Sequence, residues 1–259
     1  ADIYSQLDKP KLVLLSQTKQ AQALQNLGLY RRAITLLTKA LNLPDIFSNK
    51  EKSNTQSVDT YSNLKKDSKF TTQLVKVSAS PETVTALHVL GDSLRVVGNF
   101  QAAEMVLERS LDIAEQLELD DAIALANLSL GNNTRIQASS NNDREAANKN
   151  LVNPETAFDF YQQASLSTSG NIRVKAQLNQ LSLLTDKEFD LLKKPEYQDT
   201  AKTLLSQVKK EIEALTPNRT TIQARINLAN TMMTIGKKIP EVTSYPEIAQ
   251  TLAVAVQQA

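Results

Sequence analysis

Gly98-Asn99-Phe100-Gln101-Ala102-Ala103 decides the fold, because an earlier stretch, Gly28-Leu29-Tyr30-Arg31-Arg32-Ala33, repeats it: a glycine, an aromatic residue two positions on, and an alanine three beyond that. The continuation matches as well. Leu37, Ala40 and Leu41 answer to Leu107, Ser110 and Leu111, so each stretch reads as a turn glycine followed by a helix with a small and aliphatic stripe at 3.6-residue periodicity. Glycine closes the preceding helix because a left-handed backbone costs it no side-chain clash. Gly91, in Leu90-Gly91-Asp92, and Gly131, in Leu130-Gly131-Asn132, fall inside the preceding helices instead. A glycine within a helix costs about 1 kcal/mol relative to alanine, so this pair predicts another helix crossing close by. Ala229, in Leu228-Ala229-Asn230, occupies the corresponding place of a later unit, with Gly236 expected at its turn. Five of the six glycines thus take one of two recurring positions, and the chain reads as repetitive.

Prolines supply the other punctuation, since proline is tolerated at the first helical position and a glutamate beside it complements the helix dipole. Ser80-Pro81-Glu82, Asn153-Pro154-Glu155, Lys194-Pro195-Glu196 and Tyr245-Pro246-Glu247 each precede an apolar-periodic stretch, and Asp120-Asp121 offers a further start by side-chain capping. These marks predict five helix pairs. First helices lie near 11–27, 81–97, 120–137, 171–185 and 218–236, and second helices near 30–42, 100–118, 154–167, 195–215 and 246–258. No sustained alternation supports a strand, and aromatic residues are only 5% of the chain. The expected fold is all-α, a right-handed superhelical solenoid of about five antiparallel helix pairs forming one repeat domain over 1–259, in which each hairpin buries its stripe against its neighbours.

Two polar stretches interrupt this array. The first, about 44–80, is rich in Ser, Asn, Thr and Lys; within it Phe70, Leu74 and Val77 have helical spacing and predict an extra turn or short helix packed on the array. The second, near 139–153, separates the helices of the third pair, and its composition, Ser139-Ser140-Asn141-Asn142-Asp143-Arg144 onward, suits disorder.

Composition then narrows the function. Lys and Arg number 29 against 28 Asp and Glu, so the net charge of +1 gives no general electrostatic footprint for nucleic acid or an anionic membrane. No apolar run approaches the roughly 20 residues that cross a bilayer, and Ala1-Asp2-Ile3-Tyr4 is not a signal peptide, so a soluble chain is expected. A start at alanine and an end inside a helix at Val256-Gln257-Gln258-Ala259 read as a piece of something longer. With no cysteine there is no disulfide, cysteine-ligated zinc or thiol catalysis, while the compartment stays open, with the cytoplasm preferred.

Beyond the generic repeat, four segments carry a family resemblance. Leu90-Gly91-Asp92-Ser93-Leu94-Arg95-Val96-Val97-Gly98-Asn99-Phe100, Ser129-Leu130-Gly131-Asn132, the run from Ala176 to Leu184, and Ala224-Arg225-Ile226-Asn227-Leu228-Ala229 resemble the tetratricopeptide (TPR) region of cyanobacterial CHAT-domain proteins. In that family a helical array precedes a caspase-like CHAT domain whose proposed catalytic pair is a histidine and a cysteine. This chain has no cysteine and no trace of that α/β domain, so no peptidase residue carries over. The resemblance implies a scaffold or sensor region that controls a protease-like domain beyond Ala259.

Chemical candidates are few. His88 is the only histidine, with Asp92 one helical turn on and Ser93 beyond it, but no nucleophile-elbow pattern accompanies them and no phosphate-binding glycine loop occurs. Glu115, Glu118, Asp120 and Asp121 cluster as one helix end and the next helix start, which capping and solvation explain. No enzyme activity, cofactor or metal is expected; a hydrolytic reading would rest on His88 and Asp92.

Binding a protein or peptide is therefore the expected function. In such arrays first helices line a concave surface, and the faces opposite the Ala and Leu stripes are the candidates. Likeness to TPR grooves selects Gln22 and Gln25; Thr85, His88, Asp92 and Arg95; Leu128, Asn132 and Arg135; and Ile226, Asn230 and Met233. Asn132 and Asn230 follow Gly131 and Ala229 where peptide-binding members of that superfamily place an asparagine on a ligand backbone, a role suited to an amide that donates and accepts at once. Chaperone-type carboxylate clamps put a lysine or arginine one turn before that asparagine. Leu128 and Ile226 stand there instead, which disfavours a C-terminal carboxylate, although Arg95 and Arg135 could pair with acidic side chains. Two alternatives stay open: a face that is merely hydrated or covered by the chain itself, and a sensor whose superhelix changes shape around a peptide or small ligand.

Overall fold

A computed structural model describes residues 9–44, 46, 68–142 and 153–258. Among them every regular element is helical: α1 Pro10–Asn26, α2 Tyr30–Ala40, α3 Ser68–Val75, α4 Pro81–Val96, α5 Phe100–Gln116, α6 Asp120–Asn142, α7 Pro154–Ala164, α8 Gly170–Leu184, α9 Pro195–Ala214, α10 Arg219–Lys238 and α11 Tyr245–Gln257. Short 3₁₀ turns at Leu191–Lys193 and Pro240–Val242 precede α9 and α11. The chain divides into two compact units, Ala1–Asn133 and Thr134–Ala259, with the boundary inside α6.

The ten helices expected from glycine and proline punctuation are present, each displaced by a few residues at most except at the end of α6. Pro81, Pro154 and Pro195 open their helices, and Pro246 is the second residue of α11. The neighbouring polar residues act as caps: Ser80 accepts from the Thr83 N–H at 3.2 Å, Asn153 from that of Glu155 at 3.2 Å, and Asn218 from Thr220 and Thr221 at 2.8 and 3.0 Å. Helices α1, α2, α4 and α5 of the first unit end alike. Leu29 N–H reaches back to Leu24 C=O, Leu43 to Thr38, Asn99 to Leu94 and Leu119 to Ala114, all at 2.8–2.9 Å. The residue before each donor takes a left-handed backbone: Gly28 at φ 75°, Asn42 at 53°, Gly98 at 83° and Glu118 at 54°. This is the Schellman closure, which satisfies the terminal carbonyls and turns the chain for the next helix. Glu118 holds that conformation against its own Cβ, so Glu118→Gly is expected to raise stability by about 0.5–1 kcal/mol in urea denaturation; a neutral or lower value would count against backbone strain there.

In the first unit α1 packs on α2 and on α4, α2 packs on α4, and α4 packs on α5. The first helix α1 thus touches its own partner and the next first helix, which is how a repeat buries a stripe too wide for one neighbour. Ile34, Leu37, Leu87, Leu90 and Leu94 are fully buried in this core. Gly91 sits where α5 crosses: a Cβ built on it would stand 2.5 Å from Leu107 Cγ, the close approach its place in the helix predicted. The expected short helix at Phe70, Leu74 and Val77 forms as α3, with Phe70 and Leu74 buried and Val77 packed against the core. Arg109 of α5 holds its end, donating to the carbonyls of Val75 and Val77 at 3.0 and 3.2 Å. The rest of that polar stretch, 45 and 47–67, lies outside the described residues.

The second unit repeats the scheme. Helix α8 packs on α7, α9 and α10, and α10 packs on α9 and α11. Tyr161, Leu181, Leu183, Val208, Ala229, Met232 and Ile235 are fully buried. Two expectations need correction. The polar stretch placed near 139 begins later, since α6 continues to Asn142, and 143–152 lie outside the described residues. Gly236 is not a turn glycine: α10 runs on to Lys238, and the returning Thr243 lies against Gly236 so closely that a Cβ there would meet its hydroxyl. The chain reverses through the 3₁₀ turn instead.

Candidate functional site

The first unit holds a polar cluster on α4. Asp92 is shared by two neighbours one turn away on either side, with His88 Nε2 at 3.5 Å and Arg95 Nη2 at 3.4 Å, all three partly exposed. Thr85 turns its hydroxyl back to Pro81 C=O at 3.0 Å. Gln25 is committed elsewhere: its amide donates to Val89 C=O at 3.0 Å and Ser93 Oγ at 2.9 Å, bracing α1 against α4. Ser93 in turn donates to Val89 C=O at 2.8 Å. Ser93 is thus engaged by Gln25 and its own helix, while the His88 ring faces Asp92. Gln22 lies on the same side of α1 as Lys19, which donates to it at 3.2 Å.

On α6, Asn132 is partly buried, whereas Leu128 is 2% exposed and belongs to the core, which removes it from any accessible surface. Leu128 sits in a nearly continuous buried run, 126–131, so its helix offers no open face at that level. Arg135, in the second unit, is occupied within the protein, donating to Asp186 at 2.7 Å and Ser182 Oγ at 3.1 Å and so tying α6 to the end of α8.

Between α8 and α10 the first helices of the fourth and fifth pairs leave a cleft of about 430 Å³. Val174, Leu178, Ala224 and Leu215 give it an apolar floor; Asn171, Lys175 and Asn179 from α8 and Arg219, Gln223 and Asn227 from α10 edge it. A second set of contacts fixes α8. Arg173 donates to Glu211 at 2.6 Å and to Ser167 C=O at 2.7 Å, and Gln177 donates to the same carboxylate at 3.2 Å. Helix α8 is therefore clamped to α9 and to the turn after α7 on its side away from the cleft, which holds that cleft wall in place. Of the α10 candidates, Ile226 is partly buried, Asn230 is exposed and Met233 is 42% exposed, and none of them lines the cleft. Sequence reasoning passed over Asn171, Lys175 and Asn179 altogether, although their spacing of four residues marks a polar stripe on one helix face.

Two crystal structures of a kinesin-light-chain-like protein of Podosopora anserina, with nearly identical TPR-like repeats, superimpose with TM-scores of 0.55 and 0.56 at 15% identity. Each alignment covers at least 95% of this chain and at least 95% of the other. The fold is that of TPR-like repeats. The TPR-like pairing explains why first helices neighbour first helices here, as α1 does α4 and α8 does α10. No protein-family model and no curated protein matches the sequence. Among the described residues no helix is long and apolar enough to cross a membrane.

Proposed function

We propose that this TPR-like chain is a non-catalytic module that binds a protein or peptide partner on the surfaces of its first helices, as part of a regulatory assembly. The α8–α10 cleft carries the reading. It joins an apolar floor to a rim of amides and cations, and one of its two walls, α8, is held from behind by the Arg173–Glu211 bridge to α9. The engaged state of His88, Asp92 and Ser93 supports binding over hydrolysis at the one histidine. The sequence resemblance to the TPR region of cyanobacterial CHAT-domain proteins supports a caspase-like CHAT domain as the thing regulated, carried in the same protein. Neither nucleic acid nor a membrane surface fits the near-zero net charge of +1.

Cross-linking mass spectrometry on a complex captured from the native cell tests this reading. Cross-links from Lys175 and other positions of α8 and α10 to one partner are the expected result. A partner whose cross-links all fall elsewhere would overturn the assignment of the cleft. A second reading, a sensor that tightens around a small ligand, draws on the same cleft; small-angle scattering with and without the partner separates the two, since only a sensor would show contraction.

A further inference from the structure

The charges around the first helices are not equivalent. Arg95 faces Asp92 on its own helix, and Arg135 is bound to Asp186, so both arginines that the sequence offered to a partner are already answered by carboxylates. The α8–α10 cleft differs. Lys175 and Arg219 stand on its rim, exposed, with no carboxylate paired to either among the described residues, and no acidic side chain lines the cleft. Two uncompensated cations over an apolar floor create a positive potential that water only partly screens in a concavity. Between them, Gln223 donates to the Asn227 side chain at 3.0 Å, which orients that pair and leaves the Gln223 carbonyl oxygen and the Asn227 amino hydrogens for a ligand. A peptide main chain presents the complementary donor and acceptor.

We propose that the α8–α10 cleft recognises an acidic, extended segment of a protein partner. Lys175 and Arg219 hold carboxylate side chains at the two walls, the Gln223 and Asn227 amides hold the main chain, and an apolar side chain of the segment rests on Val174, Leu178 and Ala224. The inference rests on the peptide-binding reading above and names the partner's chemistry. It relocates the recognition of acidic groups from Arg95 and Arg135 to two residues outside the expected set.

Fluorescence anisotropy of the full chain tests it, using short labelled peptides in which glutamate alternates with leucine or alanine, beside counterparts with glutamine at every glutamate. The glutamate series is expected to bind at least about tenfold tighter, with the advantage shrinking as sodium chloride rises. The double variant Lys175→Glu/Arg219→Glu should lose that advantage at an unchanged melting temperature, because both side chains are exposed. Equal binding of both series, or an advantage that survives the double variant, would overturn acidic recognition in this cleft while leaving peptide binding standing. Binding of neither series, together with a captured partner cross-linked away from α8 and α10, would overturn both.

Discussion

Gly91→Ala is expected to destabilise the protein by about 2 kcal/mol, although alanine is the better helix former by about 1 kcal/mol. The methyl group would arrive 2.5 Å from Leu107 Cγ and 2.6 Å from its Cδ2. Leu107 is fully buried and has no room to retreat, so α4 and α5 must separate. The decisive measurement is a double-mutant cycle in urea. In a Leu107→Ala background, itself about 2–5 kcal/mol less stable, Gly91→Ala should become neutral or favourable because the obstacle is gone and only helix propensity remains. A cost that persists there would show that something other than the crossing of α4 and α5 requires the glycine.

Arg225→Ala is expected to cost about 3 kcal/mol. Arg225 is 8% exposed, and among the described residues no carboxylate answers it: Nη2 donates to Ile212 C=O at 3.2 Å and Nε to Gln258 Oε1 at 3.1 Å. Ile212 lies in the last turn of α9, and Gln258 closes α11. The cation therefore lies by the negative ends of two helices, where partial charges substitute for an acid. Truncation to alanine leaves the Ile212 carbonyl short of a donor and opens a void beside α9. Arg225→Met fills the void and removes the buried charge, so it should cost no more than about half as much. If alanine were as well tolerated as methionine, the hydrogen bonds and packing assigned to Arg225 would not hold the last hairpin.

Arg225 also marks the limit of what polarity in the sequence encodes. Helix starts are legible because Pro81 and Pro154, with Ser80 and Asn153 as caps, and Pro195 by itself act locally, and a left-handed Gly28 or Gly98 does the same at a helix end. Facing is less so. On α10 the face opposite the Leu228 and Ala229 stripe carries Ile226, Asn230 and Met233, whereas the cleft uses Gln223, Ala224 and Asn227 on another side. A buried arginine inside the apolar stripe disguises the true inward direction, since polarity alone places it outside. Gln25 misleads in the reverse sense. Its amide looks available from spacing, yet its partners lie 64 and 68 residues away, and no local pattern encodes them. Gly236 resembles Gly28 and Gly98 in its local sequence, but the contact that claims it, Thr243, belongs to the following turn.

The shared closure at Leu24–Leu29, Thr38–Leu43, Leu94–Asn99 and Ala114–Leu119 has a consequence for how such a chain can grow. At the Gly28, Gly98 and Glu118 joints, where the next helix follows directly, the chain leaves through the same pair of backbone bonds, so its exit direction is set by the backbone rather than by the flanking side chains. A copy of the block 81–119, spliced in after Leu119, would leave and rejoin the chain through joints of one geometry. Length in the first unit is thereby separable from shape: whole hairpins can be duplicated or deleted as cassettes without redesigning the turns.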